Sequence, residues 1–141
     1  MTLDAWQALI GISRVDRKIE YKERWYRQIS ENLASIQAVR FDRTSVCGGN
    51  NQTDVRLEEL AIKSKEIGEL KRTRRFMMNL IEETFDEIED NVYVEVLMQH
   101  HLFGKNCPEI AEQLSYSRSY MYKLLRRAER EYKEVSKKDT K

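Results

Sequence analysis

Residues 106–130 read NCPEIAEQLSYSRSYMYKLLRRAER, and this stretch decides both the fold class and the functional expectation. Asn106 offers a side-chain oxygen to free backbone N–H groups, and Glu109 three residues on completes a capping box. Pro108 falls in the first turn, where its missing donor costs nothing. The spacing predicts a short helix with Ile110, Ala111 and Leu114 inward. Ser115-Tyr116-Ser117 then makes a turn, and Ser117 caps a second helix that buries Met121, Leu124 and Ala128. A tight helix-turn-helix needs a small residue where its helices touch, here Ala111. It also needs apolar residues at a fixed set of sites, here Ile110, Leu114, Tyr116, Met121 and Leu124. Ser115 stands where such turns usually hold Gly, so a looser turn is expected.

Burying that face turns Arg118, Ser119, Tyr122, Lys123, Arg126, Arg127 and Arg130 outward. The first residues of such a helix reach base edges, and the later cations meet phosphates. Arg118 and Lys123 suit guanine O6/N7, while Ser119 suits several bases. Tyr122 either packs on a thymine methyl or bonds a phosphate. Arg126, Arg127 and Arg130 are the expected phosphate contacts. The expected ligand is double-stranded DNA. The plain alternative is a surface helical hairpin whose cations are only solvated.

The pattern before this segment is also helical. Ala5, Ala8, Ile12, Val15, Ile19, Lys22, Tyr26, Ile29, Leu33 and Ile36 alternate spacings of three and four, a heptad seam that buries itself against a second helix. Trp6, Leu9 and Trp25 widen it. A stretch rich in Thr, Ser, Gly and Asn follows, and Thr53 or Asp54 is expected to cap the next helix. There Leu60, Ile67, Leu70, Met77, Ile81 and Ile88 repeat the seam, with Lys63, Arg74 and Thr84 at its polar places and Leu57, Met78 and Phe85 beside it. Two heptad helices, each roughly 50 Å long, most simply fold back as an antiparallel hairpin; pairing between chains in a homodimer or higher oligomer is the alternative. Asn91 is expected to cap a further helix with Val92, Val96, Leu97 and Leu102 or Phe103 inward, stopped by Gly104.

The expected fold is therefore all-α: a long antiparallel coiled-coil helical hairpin over 1–90 (loop about 41–54), a helix-turn-helix over 91–135, and a disordered basic tail at 136–141. Composition agrees. One Pro and five Gly are too few for an all-β fold, and 35% charged residues suit long helices washed by solvent. A net charge of +1 gives no global signal for nucleic acid. The average conceals an acidic middle, with Glu82, Glu83, Asp86, Glu87, Glu89, Asp90 and Glu95 and no Lys or Arg between Phe76 and Gly104. The C-terminal end is basic.

The segment CPEIAEQLSYSRSYMYKLLRR (107–127) resembles region 4 of sigma-70-type factors. With the coiled N-terminal half, the Gly48-Gly49-Asn50-Asn51-Gln52-Thr53-Asp54 loop and the second long helix, the chain is similar to small sigma-like proteins of phages and prophages of Gram-positive bacteria, including the RinA/ArpU-type late-gene activators. The resemblance implies transcriptional control of phage late genes, through duplex DNA and RNA polymerase or its sigma subunit. It implies base reading by Arg118, Ser119, Tyr122 and Lys123. The family usually has an acid where Ser119 stands and a glutamine where Lys123 stands, so a different DNA sequence is expected. The chain has no room for the domain that melts promoters, which makes it an activator in this reading and not a whole sigma factor.

Other chemistry has little to stand on. His100 and His101 are helix neighbours about 100° apart and cannot share a metal from one face. Cys47 and Cys107 form no C-x-x-C spacing, so neither a disulfide nor a zinc site is expected, and free thiols suit a cytoplasmic protein of the bacterial host. No apolar run approaches the roughly 18 residues that span a bilayer. No catalytic centre, metal or cofactor is expected. The acidic pairs lack convergent His or Lys for a nuclease, and Lys71-Arg72-Arg74-Arg75 reads as a solvated face or a second phosphate contact. Two functional alternatives remain at this level: a small-terminase-like DNA-packaging subunit and a coiled-coil protein-interaction adaptor.

Overall fold

The computed structural model describes residues 3–42 and 50–139, with side chains for 3–35 and 53–138. Most of these residues are helical: α1 (Ala5–Asp42), α2 (Asn50–Glu87), α3 (Asn91–Leu97) running into one π-helical turn (Met98–Leu102), α4 (Cys107–Leu114) and α5 (Arg118–Asp139). Among them there is no strand, and no helix is long and apolar enough to cross a membrane. The expected loop narrows, because α1 reaches Asp42 and α2 starts at Asn50. Thr53 and Asp54 are therefore inside α2 and do not cap it: extending an existing helix costs little even through poor helix formers. Residues 43–49, with Cys47, Gly48 and Gly49, lie outside the described set, as does the side chain of Ile36.

Contacts divide the chain into two compact units, Met1–Val15 with Thr73–Lys141, and Asp16–Arg72. The division falls inside the two long helices and not at the expected boundary near 90. The reason is the core of the first unit, where Ala8, Leu9 and Ile12 of α1, Met77 and Ile81 of α2, and Ile88 just after α2 join Val96, Leu97, Ile110, Met121, Leu124 and Ala128. Tyr132 is completely buried among them. Its hydroxyl donates to the Ala5 carbonyl oxygen at 2.7 Å, and its ring meets Phe85 edge-on at 5.9 Å and Trp6 at 6.3 Å. Burial pushes the phenol well above its ordinary range, while the Thr84 hydroxyl beside it acts in the opposite direction. Thr84 itself, buried at a seam position, donates to the Leu80 carbonyl oxygen at 2.8 Å, which satisfies it within its own helix.

Within 16–72, α1 and α2 run antiparallel. Lys22 bonds Glu66 at 2.6 Å, and Lys63 stands 4.1 Å from the centre of the Trp25 ring, so partner numbers fall as α1 numbers rise. That bond raises the Lys22 pKa and lowers that of Glu66. Ile19, Ile29, Leu33 and Ile67 are buried as the seam requires, whereas Tyr26 and Leu57 remain exposed.

Three expectations for the C-terminal part change. The cap of α3 is Asp90, whose Oδ1 accepts the Val92 N–H at 2.9 Å, and Asn91 is already helical. Val92 and Phe103 are exposed, leaving Val96 and Leu97 as the buried pair. The π turn explains Phe103: its N–H reaches back five residues to the Met98 carbonyl oxygen (3.1 Å), and the extra residue per turn rotates it off the inward face. Gly104 ends the segment with φ +69°, as expected. Ser136 to Asp139 continue α5 and are not a disordered tail, since buried Tyr132 and Val135 hold the helix up to their own positions. Residues 140 and 141 lie outside the described set.

Substituting Tyr132→Phe removes one buried hydrogen bond and is expected to cost about 1–2 kcal/mol; Tyr132→Ala also opens a cavity and costs about 3–5 kcal/mol. Urea unfolding of both variants measures this. Equal losses would show that the hydroxyl, and not the ring, carries the contribution of Tyr132.

Candidate nucleic-acid interface

The two helices of the 106–130 stretch are set by local bonds. Asn106 has extended backbone angles, and its side chain accepts the Glu109 N–H at 3.0 Å. Pro108 falls within the first turn of α4. The helix stops at Ser115, which takes the left-handed conformation (φ 63°, ψ 39°) usually left to glycine. The Tyr116 N–H then bonds the Ala111 carbonyl oxygen at 2.9 Å, and the Ser117 hydroxyl accepts the Tyr120 N–H at 3.2 Å to cap α5. Thus the turn is regular and not loose: serine accepts the glycine geometry. Tyr116 is a further correction. It was expected inward but is 39% exposed, with its ring 5.2 Å from that of Tyr120.

Ile110, Ala111, Met121, Leu124, Leu125 and Ala128 are all buried where α4 and α5 meet the core. At 100° per residue, Ser119, Lys123, Arg126 and Arg130 form a line on the opposite side of α5. Arg118 and Tyr122 flank this line on one side and Arg127 on the other. All seven are exposed, and the ion pairs found among the described residues involve none of them. The helix therefore brings every residue of the expected interface to one broad face. Sequence reasoning missed two neighbours of that face. Tyr120, 41% exposed, could have been found from its four-residue spacing to Tyr116. Lys133 lies further along, but its ammonium stands 4.3 Å from the centre of the Trp6 ring, so its stem follows the core.

The remaining titratable groups are on other surfaces. Acids Glu87, Glu89, Asp90 and Glu131 line a cleft with Lys138, and no group of His, Cys, Asp or Glu among the described residues is arranged to hold a metal ion. Cys107 is buried, and burial pushes its thiol pKa up. Burial likewise raises the Glu129 carboxyl, with His100 and Lys133 opposing the change. His100 Nδ1 lies 2.9 Å from the Lys105 carbonyl oxygen, to which it can donate. His101 packs edge-on against Trp6 at 6.1 Å, and desolvation, followed by the neighbouring His100, lowers its pKa to about 4. The histidines thus support the π turn by packing.

Compared with protein-family models, curated proteins and solved structures, the chain has no match.

Two measurements probe this local structure. Ser115→Gly releases left-handed strain and is expected to raise stability by about 0.5–1 kcal/mol after the greater freedom of glycine in the unfolded chain is subtracted. A thermal melt showing no gain would contradict the strain. His101 is held neutral in the fold, whereas the unfolded chain takes up its proton below pH 6.5. Its burial therefore subtracts stability as pH falls from 6.5 toward 4, by about 2 kcal/mol at pH 5. In His101→Phe the loss of stability between pH 7 and pH 5 should be smaller by that amount, as read from urea midpoints. An equal loss would count against a buried neutral imidazole.

Proposed function

We propose that the chain is a sequence-specific, double-stranded DNA-binding transcription regulator in which α4 and α5 act as a helix-turn-helix and the paired long helices form a coiled-coil hairpin. The observation that carries this reading is the uncovered face of α5. Seven polar and cationic side chains share it, directly behind a fully apolar buried face, at the end of a capped tight turn. A solvated surface helix needs none of those features together. The N-terminal part of α5 enters the major groove, where Arg118, Ser119, Tyr122 and Lys123 meet base edges; Arg126, Arg127 and Arg130 meet phosphates. Tyr116 and Tyr120 stand at the same end and suit the sugar-phosphate rim. The resemblance to phage late-gene activators supplies the further proposal that the chain acts with host RNA polymerase or its sigma subunit.

The test is duplex selection from a random pool, followed by titration of the selected site. Lys123→Ala or Arg118→Ala is expected to cost about 1–3 kcal/mol and to relax one base position. Arg127→Ala should weaken all duplexes alike and lower the slope of log K against log salt by about 1. If the wild-type chain binds no duplex at low salt, the function is wrong. If it binds but these variants do not alter it, the assignment to α5 is wrong.

A further inference from the structure

The sign of α5 changes along its length. One exposed strip carries Lys123 and Arg127, then Glu131 and Glu134, which stand four and seven residues beyond Arg127 on the same side of the helix. Glu134 also follows Arg130 by one turn. The fold adds acid at this level from a distant part of the chain, because Glu89 and Asp90 line one cleft with Glu131, Tyr93 and Val135. Asp90 caps α3. Glu89 and Glu134 are exposed and Glu131 is half-buried, and the ion pairs found among the described residues involve none of the three. Lys138 lines the same cleft, but it stands roughly 16 Å along the helix axis from Arg127. The cations of α5 therefore give way to an acidic ridge directly after Arg130.

Distance decides what such a ridge does to a bound duplex. Glu131 follows Arg127 by about 6 Å of helix rise, less than the ~8 Å over which charges act at physiological salt. A phosphate held by Arg127 therefore also feels Glu131. Were α5 to lie in a groove along its whole length, Glu131 and Glu134 would meet phosphates unopposed. Entry by the N-terminal half alone keeps the ridge clear of the sugar-phosphate backbone, and contacts from Arg118 to Lys123 with bases favour that one pose. Complexes without base contacts are held by phosphates and sample many poses, so they meet the ridge more often. The ridge acts by exclusion and needs no ligand of its own.

We propose that Glu131 and Glu134, with Glu89 beside Glu131, are specificity determinants that end the DNA footprint of α5 at Arg130 and penalise duplexes lacking the selected bases. This rests on the reading of α5 as a DNA-binding helix. The test titrates the full chain with the selected duplex and with a random duplex of equal length. In the variant carrying Glu131→Gln and Glu134→Gln, the random duplex should gain more than the selected one, and the ratio of the two affinities should fall at least about threefold. Glu89→Gln lies off α5 and should lower the ratio in the same direction, a result that stands even if the double variant fails to fold. Glu58→Gln, an exposed acid in the other compact unit, should leave the ratio unchanged. A chain that binds duplex DNA, yet keeps its ratio in both the double variant and Glu89→Gln, overturns the exclusion and leaves the ridge to a cationic partner. A wild-type chain that binds no duplex overturns the function itself, and this inference with it.

Discussion

The core of residues 1–15 and 73–141 depends on getting one large polar side chain out of water without leaving its hydroxyl bare. Tyr132 supplies more buried volume than any other wholly enclosed residue there, and the Ala5 carbonyl gives its O–H a partner at 2.7 Å. A phenol buried without that bond would lose about 1–3 kcal/mol to desolvation. With it, the ring becomes the point where α1, α2 and α5 meet, since Trp6 and Phe85 pack on it from the two long helices. The second half of α5 is thereby rooted in the core. Its outward face is free to present side chains.

This split along a single helix gives the candidate interface its rigidity. Met121, Leu124 and Ala128 lie on the same inward line as Tyr132, so the exposed line of Ser119, Lys123, Arg126 and Arg130 cannot turn without disturbing the core. Holding long cationic side chains on a fixed backbone reduces the ordering that binding would otherwise require. The acidic residues from Glu82 to Asp90 lie before α3, and several line a separate cleft. They bring the net charge of the chain to near neutrality, while the ion pairs found among the described residues involve none of the seven side chains of the candidate interface.

Much of this was legible in the residues because local rules and tertiary demands agree. The Asn106 and Ser117 caps, the Gly104 stop and the inward set around Ala111 all follow from short-range chemistry that no distant contact overrides. The heptads located α1 and α2 for the same reason. What stayed hidden needs information from far along the chain. Tyr132 looks like one more residue of a charged helix until α1 is placed beside it. The π turn has no local signature, so the sequence leaves Leu102 and Phe103 as equal candidates for the inward place; Leu102 packs against the core and the extra residue turns Phe103 out, while Val92 is exposed. Ser115 shows the opposite case: its type argued for a loose turn, yet the bonds around it impose the left-handed geometry.

The separation of 127 residues between Tyr132 and Ala5 has a consequence for biosynthesis. On a ribosome the first turns of α1 emerge with Leu9 and Ile12 bare, and the helix that covers them reaches Tyr132 only 127 residues after Ala5. Until α5 is released, that apolar surface must wait in contact with chaperones or with α2. The nascent chain is accordingly most vulnerable to aggregation in the interval after its long helices are complete and before α5 is.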